Sequence, residues 1–290
     1  MLIAINYAND RFKANRKWCT WSLKHIGKVD QVIEYSPRNI DVHFWKKHKE
    51  ILSYKRGGGL WLWKPWIILR TLNNMCDNDI LLYCDSGTFI VHDLHVLTDN
   101  MLKTKDHVMA FQIPCLELYY TKRETYRLMN IPEEGVFLSN QICTGYILFR
   151  KSEFTLNLVK EWLEYMYDER KVSPRKFCSD ILERPDFFAH REDQSIFSLV
   201  CKKHGVVPHW DPSDFGERPW EYASPQHKIY VRRGDNSHYP KCFLSCRTYP
   251  AIGYLIKSVL KDLAYKYKIM SYQKYLKNKG IPVENVVFDN

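Results

Sequence analysis

One short stretch constrains this chain more than any other: Asp79-Ile-Leu-Leu-Tyr-Cys84, followed at once by Asp85-Ser86-Gly87. An apolar run of that length bounded by polar residues reads as a strand buried on both faces, the condition of strands in a parallel sheet. Such a strand brings Asp85 to its carboxyl end. Ligands of open α/β sheets lie in the crevice outside those ends, so a carboxylate there is placed to meet a ligand. Asp-Ser-Gly also suits a plain turn, but a turn alone does not account for what precedes it. Gly57-Gly-Gly is followed by Leu-Trp-Leu-Trp-Lys64-Pro65 and an apolar segment. The glycines permit a tight turn and close backbone approach, and Pro65 suits the first turn of a helix over residues 65–72 with the Lys64 cation at its start. Trp61, Trp63 and Trp66 read as core.

Strand signals recur over residues 2–5, 29–35, 108–113 and 144–149. Helical periodicity begins after Ser152, a suitable N-cap, with Phe154, Leu158, Trp162, Tyr165 and Met166 on one face. A further helix spans residues 193–203 and is closed by Gly205. Alternating strands and helices over the first two-thirds predict an α/β fold, a mostly parallel central sheet covered by helices on both faces. The remainder is irregular. A chain of 290 residues, 45% of them hydrophobic, can bury one large core of this kind. The nine cysteines are odd in number, lie mostly in apolar runs and form no Cys-x-x-Cys pair, which predicts reduced core thiols rather than disulfides or a zinc site. No apolar run approaches the ~20 residues of a membrane span, and no Asn-x-Ser/Thr sequon occurs, so the expected location is cytoplasmic.

The net charge of +10 predicts a polyanionic partner or an anionic surface without choosing among nucleic acid, acidic lipid and a phosphate-bearing substrate. A nucleic-acid-binding protein is one alternative. It would need a basic stripe interleaved with exposed aromatics, whereas the aromatics here fall mostly inside apolar runs and no nucleic-acid motif is present. Residues 254–279 hold seven lysines against one acid, Asp262, interleaved with Leu255, Ile256, Val259, Leu260, Leu263 and Tyr267. This segment predicts an amphipathic helix, either lying on an anionic membrane or packed on the core with its lysines in water. The expected division is a domain over residues 1–250 and a basic amphipathic C-terminal extension over residues 251–290.

A phosphate loop does not explain the glycines. Gly-x-x-x-x-Gly-Lys-Ser/Thr is absent, since Lys64 stands five residues after Gly59 and precedes Pro65, and no Gly-x-Gly-x-x-Gly follows the first strand. Taken in order, GGGLWLWKPWIILRTL, DILLYCDSG, NQICTGYILFRKS, HREDQSIFSLVCKKHG and DPSDFG resemble glycosyltransferases of the GT-A fold from bacterial and viral surface-polysaccharide synthesis, over roughly residues 1–235.

That resemblance implies transfer of a sugar from a nucleotide-diphosphate donor, a UDP-sugar, to a hydroxyl of a glycan or lipid-linked glycan, at the inner face of the membrane. It implies that the donor lies across the carboxyl ends of the sheet, with Asn6 and Tyr7 at the base and ribose. Asp85, Ser86 and Gly87 take the place of a metal-binding Asp-x-Asp motif. Gln141, Thr144, Asp211 and Asp214 fall toward the sugar or acceptor. Glu192-Asp193 matches an acidic pair of which one member takes the acceptor proton as general base; Asp193 equally suits a helix N-cap. Gly87 departs from the motif, standing where a second Asp would be, so a catalytically inactive scaffold is a further alternative. Asp85 with a late histidine, His238 or His209, would hold Mn2+ or Mg2+. Without a metal, Lys64, Arg232 and Arg233 would meet the negative charge that grows on the leaving diphosphate as the sugar becomes oxocarbenium-like.

Overall fold

The computed structural model describes residues 1–232, 239–246 and 250–289. Its strands are β1 (Leu2–Tyr7), β2 (Gln31–Tyr35), β3 (Ile80–Cys84), β4 (Thr88–Ile90), β5 (Val108–Met109), β6 (Phe111–Leu116), β7 (Asn140–Ile142), β8 (Tyr146–Arg150), β9 (His209–Trp210), β10 (Ile229–Arg232), β11 (Phe243–Ser245) and β12 (Val286–Asp289). The central sheet has the order β2-β1-β3-β8-β5. β1 pairs in parallel with β2 and β3, and β8 runs antiparallel between β3 and β5. Four of the five strands therefore point one way, the mostly parallel α/β sheet expected. The reversed strand has a consequence for the site. The amino end of β8 lies beside the carboxyl end of β3, Tyr146 opposite Cys84, so the residues just before β8 join the ligand edge.

Every residue of β3 is buried, and the period-two alternation of a strand splits its side chains between two cores. Leu81 and Tyr83 share one core with the helices Trp63–Asn73, Glu153–Met166 and Glu192–Lys203; Ile80, Leu82 and Cys84 share the other with Lys13–His25 and His95–Thr104. Full burial of such a side chain stabilises by ~1.5–3 kcal/mol. That gain is available on both faces only to an inner strand covered by helices on each side, which is why this run could not be an edge. Ser152 caps its helix as expected, its Oγ accepting the Thr155 N–H at 3.3 Å.

The strand expected over residues 108–113 is two strands. The break falls at Ala110, whose carbonyl accepts the His209 N–H at 2.8 Å; β5 ends the central sheet and β6 enters a second one of order β7-β6-β9. All nine cysteines are free thiols, seven of them buried. The C-terminal segment, expected as an extension, is laced to the body. From the helix Ala251–Lys266, Tyr254 Oη donates to Asp214 at 2.5 Å, Asp262 pairs with Arg218 and Lys241, and Lys261 Nζ reaches Glu221 at 2.8 Å; beyond it, β12 pairs with β10. Among the described residues, no helix is long and apolar enough to cross a membrane.

Candidate active site

The three glycines open a left-handed turn. Gly57, Gly58, Gly59, Leu60 and Trp61 have φ of +60°, +56°, +102°, +51° and +58° in succession. That conformation costs an L side chain ~1–2 kcal/mol per residue, and glycine removes the cost at three of the five positions. Space matters as well as φ, since a Cβ on Gly59 would lie 2.7 Å from Leu52 Cα. The turn delivers two side chains to the sheet edge. The Trp63 indole N–H donates to the Gly57 carbonyl at 2.9 Å while its ring stacks on Tyr7 at 3.7 Å, and Lys64 follows in the first turn of the helix Trp63–Asn73.

Lys64, only 2% exposed, is the centre of the site. Its ammonium donates to Asp193 Oδ2 at 2.6 Å and to the carbonyl and Oγ1 of Thr144 at 3.2 and 3.3 Å, and lies 3.7 Å from Asp85 Oδ1. The Tyr83 ring stands 5.1 Å from the same ammonium, and the Tyr83 hydroxyl donates to Asp85 Oδ1 at 2.6 Å. Thr144 Oγ1 in turn donates to Asp193 Oδ2 at 3.0 Å, and the Asp85 N–H donates to the Gly145 carbonyl at 2.7 Å. Sequence positions far apart are thus gathered at the carboxyl end of β3 around one buried cation. Burial raises the Asp193 pKa; Lys64 pulls it down, and the charge on Asp85 adds to the rise. Glu192 is raised by burial too, opposed by Arg56, whose guanidinium grips it through Nε and through Nη2 at 3.2 Å.

Asp193 is not a cap. Arg191 holds the N-cap position, and no side chain accepts a capping hydrogen bond there. Its carboxylate is spent on Lys64 and Thr144 instead, which removes the plain structural role expected of an Asp at a helix start.

The other expected residues divide. Asn6, fully buried at the end of β1, donates through Nδ2 to Thr20 Oγ1 at 3.1 Å, but its Oδ1 has no hydrogen-bond partner among the described residues, nor has Asn9 Oδ1. A buried acceptor left without a donor costs ~1–3 kcal/mol. Burial under Trp63 pushes the Tyr7 phenol up to about 12. Ser86 is buried, and the Gly87 carbonyl accepts the Cys246 N–H at 2.6 Å, tying the Asp85 loop to the end of β11.

Gln141 lies beneath the site as a hub: its Nε2 donates to Glu117, Thr121 and Ser195 at 3.2 to 3.3 Å, and its Oε1 accepts from Gln194 at 2.8 Å. Asp211 is buried, takes the Tyr146 hydroxyl on Oδ1 and leaves Oδ2 without a partner among the described residues; burial pushes its pKa up to about 7. Asp214 braces the C-terminal helix through Tyr254 and accepts the Ser245 N–H at 3.3 Å, so its carboxylate is engaged away from Lys64. Arg232 sits on the β10–β12 edge, held by Asp289 at 3.0 Å and the Leu138 carbonyl at 2.7 Å, instead of joining Lys64. His209 holds Asp106 at 3.1 Å and Tyr239 at 2.9 Å. Arg233 and His238 lie outside the described residues. Tyr83 and Arg56 went unread in the sequence. Tyr83 had a signal, since strand alternation puts it on the face of Asp85; Arg56 had none.

A divalent ion of the Mn2+ or Mg2+ type needs several hard oxygen donors. Among the described residues no group of three or more His, Cys, Asp or Glu side chains is gathered for one, and an ammonium already stands by both Asp85 and Asp193. The described side chains by themselves therefore do not complete a coordination sphere, and Asp85 is the carboxylate left nearest the open edge.

No family model and no curated protein matches the chain. Among solved structures it is similar to the galactosyltransferase LgtC in complex with donor and acceptor sugar analogs, at 13% identity over 89% of this chain and 95% of that one, TM-score 0.48. It is similar also to mouse xyloside xylosyltransferase 1, at 10% identity over 85% and 97%, TM-score 0.45, and to the bifunctional glycosyltransferase WbbM, at 12% over 69% and 37%, TM-score 0.40.

Proposed function

We propose that this chain transfers a sugar from a nucleotide-diphosphate sugar to a glycan hydroxyl at the carboxyl edge of the central sheet. The observation that carries the proposal is the Lys64 cluster, in which one buried ammonium holds a carboxylate from the end of β3 and another from the start of the helix Glu192–Lys203. Two carboxylates kept close in a buried site suit acid–base work on a hydroxyl. Asp193 is the general base in this scheme: it must be ionised to accept the acceptor proton, a form that burial opposes and Lys64 favours. Asp85, with 22% of its side chain exposed, is the more open of the two and faces the donor. The open acceptors of Asn6 and Asn9 suit N–H and O–H donors such as those of a uracil base and ribose, which favours a UDP-sugar. Lys64 acts by holding the carboxylates, because Asp193 and Thr144 already accept from it.

The net charge of +10 supports a lipid-linked acceptor at an anionic, cytoplasmic membrane face. A thermal-shift panel of nucleotide diphosphates and UDP-sugars, with manganese and with a chelator, tests the donor. A ligand at ~100 times its Kd adds ~2.7 kcal/mol to apparent stability, so a clear rise with UDP and UDP-sugars is expected. Asp85→Asn should abolish donor hydrolysis while leaving the fold intact. No nucleotide raising the melting temperature would sink the proposal; donor binding without hydrolysis or transfer in the parent would make the chain an inactive scaffold.

A further inference from the structure

The helix Ala251–Lys266 is mounted with its apolar side outward. Toward the body it buries Ala251, Tyr254 and Ser258. Its exposed side carries Ile252, Ile256, Val259, Leu260 and Leu263, between 42% and 61% exposed, continued by Tyr267 at 66%. At the helical period these positions fall on one stripe, opposite the buried side. Soluble surfaces rarely present a contiguous apolar patch of this kind without a partner.

The rotation is fixed by polar contacts. Arg218, 3% exposed, holds Asp262 and Glu221, Lys261 also holds Glu221, and the Tyr254 hydroxyl is on Asp214. Turning the stripe inward would strip these buried groups of their partners, so the apolar face stays in solvent. Exposed Lys257 and Lys266 flank the stripe on either side, and Lys268, Lys274 and Lys277 are exposed further along the chain.

We propose that this face docks on an anionic lipid bilayer, the helix lying in the interface plane with Ile256, Leu260 and Leu263 at the headgroup boundary and the lysines on anionic headgroups. Charge complementarity selects this occupant. In a two-fold contact with a second copy the same lysine rims would face each other, which disfavours that pairing. The surface does not depend on the sugar-transfer proposal.

The test uses the full chain in co-sedimentation with vesicles of phosphatidylcholine alone and with added phosphatidylserine, at low and high salt. The parent should pellet with the anionic vesicles at low salt and be released by high salt. Ile256→Glu with Leu260→Glu should weaken that binding about tenfold or more, as should Lys257→Glu with Lys266→Glu, all with an unchanged melting temperature. Ile256→Ser with Leu260→Ser serves as a milder pair if the charged variant loses stability. Equal vesicle binding by parent and variants, or no binding by the parent, overturns the proposal. So does a dimer in sedimentation velocity that the Ile256 and Leu260 substitutions convert to monomer, which would assign the face to a second copy.

Discussion

Replacing Lys64 by methionine keeps most of the apolar stem and removes the ammonium. At 2.6 Å from Asp193 and 3.7 Å from Asp85, that ammonium attracts the two carboxylates by about 6 and about 4.5 kcal/mol at an effective dielectric of about 20. Desolvation offsets much of this while the cluster is intact. Deleting one partner is different, because it leaves charge buried and costs about 3–5 kcal/mol. Asp193 can escape by taking a proton, and the sign of that escape can be worked out. Burial already raises its pKa and Lys64 opposes the rise, so Lys64→Met raises it further. A group whose folded pKa is raised contributes stability that is full below the unfolded pKa and lost as pH climbs through the folded one. The deficit of Lys64→Met should therefore be largest at pH 8 and narrow toward pH 5. At ~2–4 °C per kcal/mol, the melting temperature at pH 8 should fall by about 6–20 °C. Scanning fluorimetry from pH 5 to 8 measures it, and a double-mutant cycle with Asp193→Asn isolates the pair. A deficit that does not change with pH, together with strict additivity in the cycle, would refute Lys64 as the counter-ion of Asp193.

Three further outcomes are expected. Asp193→Asn should lower kcat by ~10²-fold or more with the donor KM little changed, since a general base acts in the transition state; equal loss of donor binding would make it a binding group. Gly59→Ala should destabilise by ~3 kcal/mol or more through its φ and the clash with Leu52, whereas Gly58→Ala, whose nearest neighbour would be 3.8 Å away, should cost only ~1 kcal/mol; equal urea midpoints would show that the turn is not held as described. Asp211, raised to about 7 by burial, should make the parent lose stability between pH 5 and pH 8 relative to Asp211→Asn. A parent that gains stability over that interval relative to the variant would contradict the buried, partly unpartnered carboxyl.

The amino-acid sequence by itself determined the frame. β3, the helix Trp63–Asn73, the capped helix after Ser152 and the need for glycine at residues 57–59 all follow from local rules of alternation, periodicity, capping and backbone freedom that act over a few residues. The same rules placed Asp85 at a strand end. They could not say what Asp193 touches, because its partners Lys64 and Thr144 come from other elements, and only the reversed direction of β8 brings Thr144 to that edge. Without those partners, a cap and a catalytic base look alike in sequence. Nor could local pattern orient the C-terminal helix. Periodicity shows that two faces differ, and burial of the apolar one is the ordinary expectation. The tertiary structure reverses it: Asp214 and Arg218 are buried where the helix docks, and Tyr254, Asp262 and Lys261 on its inward side pair with Asp214, Arg218 and Glu221, so turning the helix would leave buried polar groups bare.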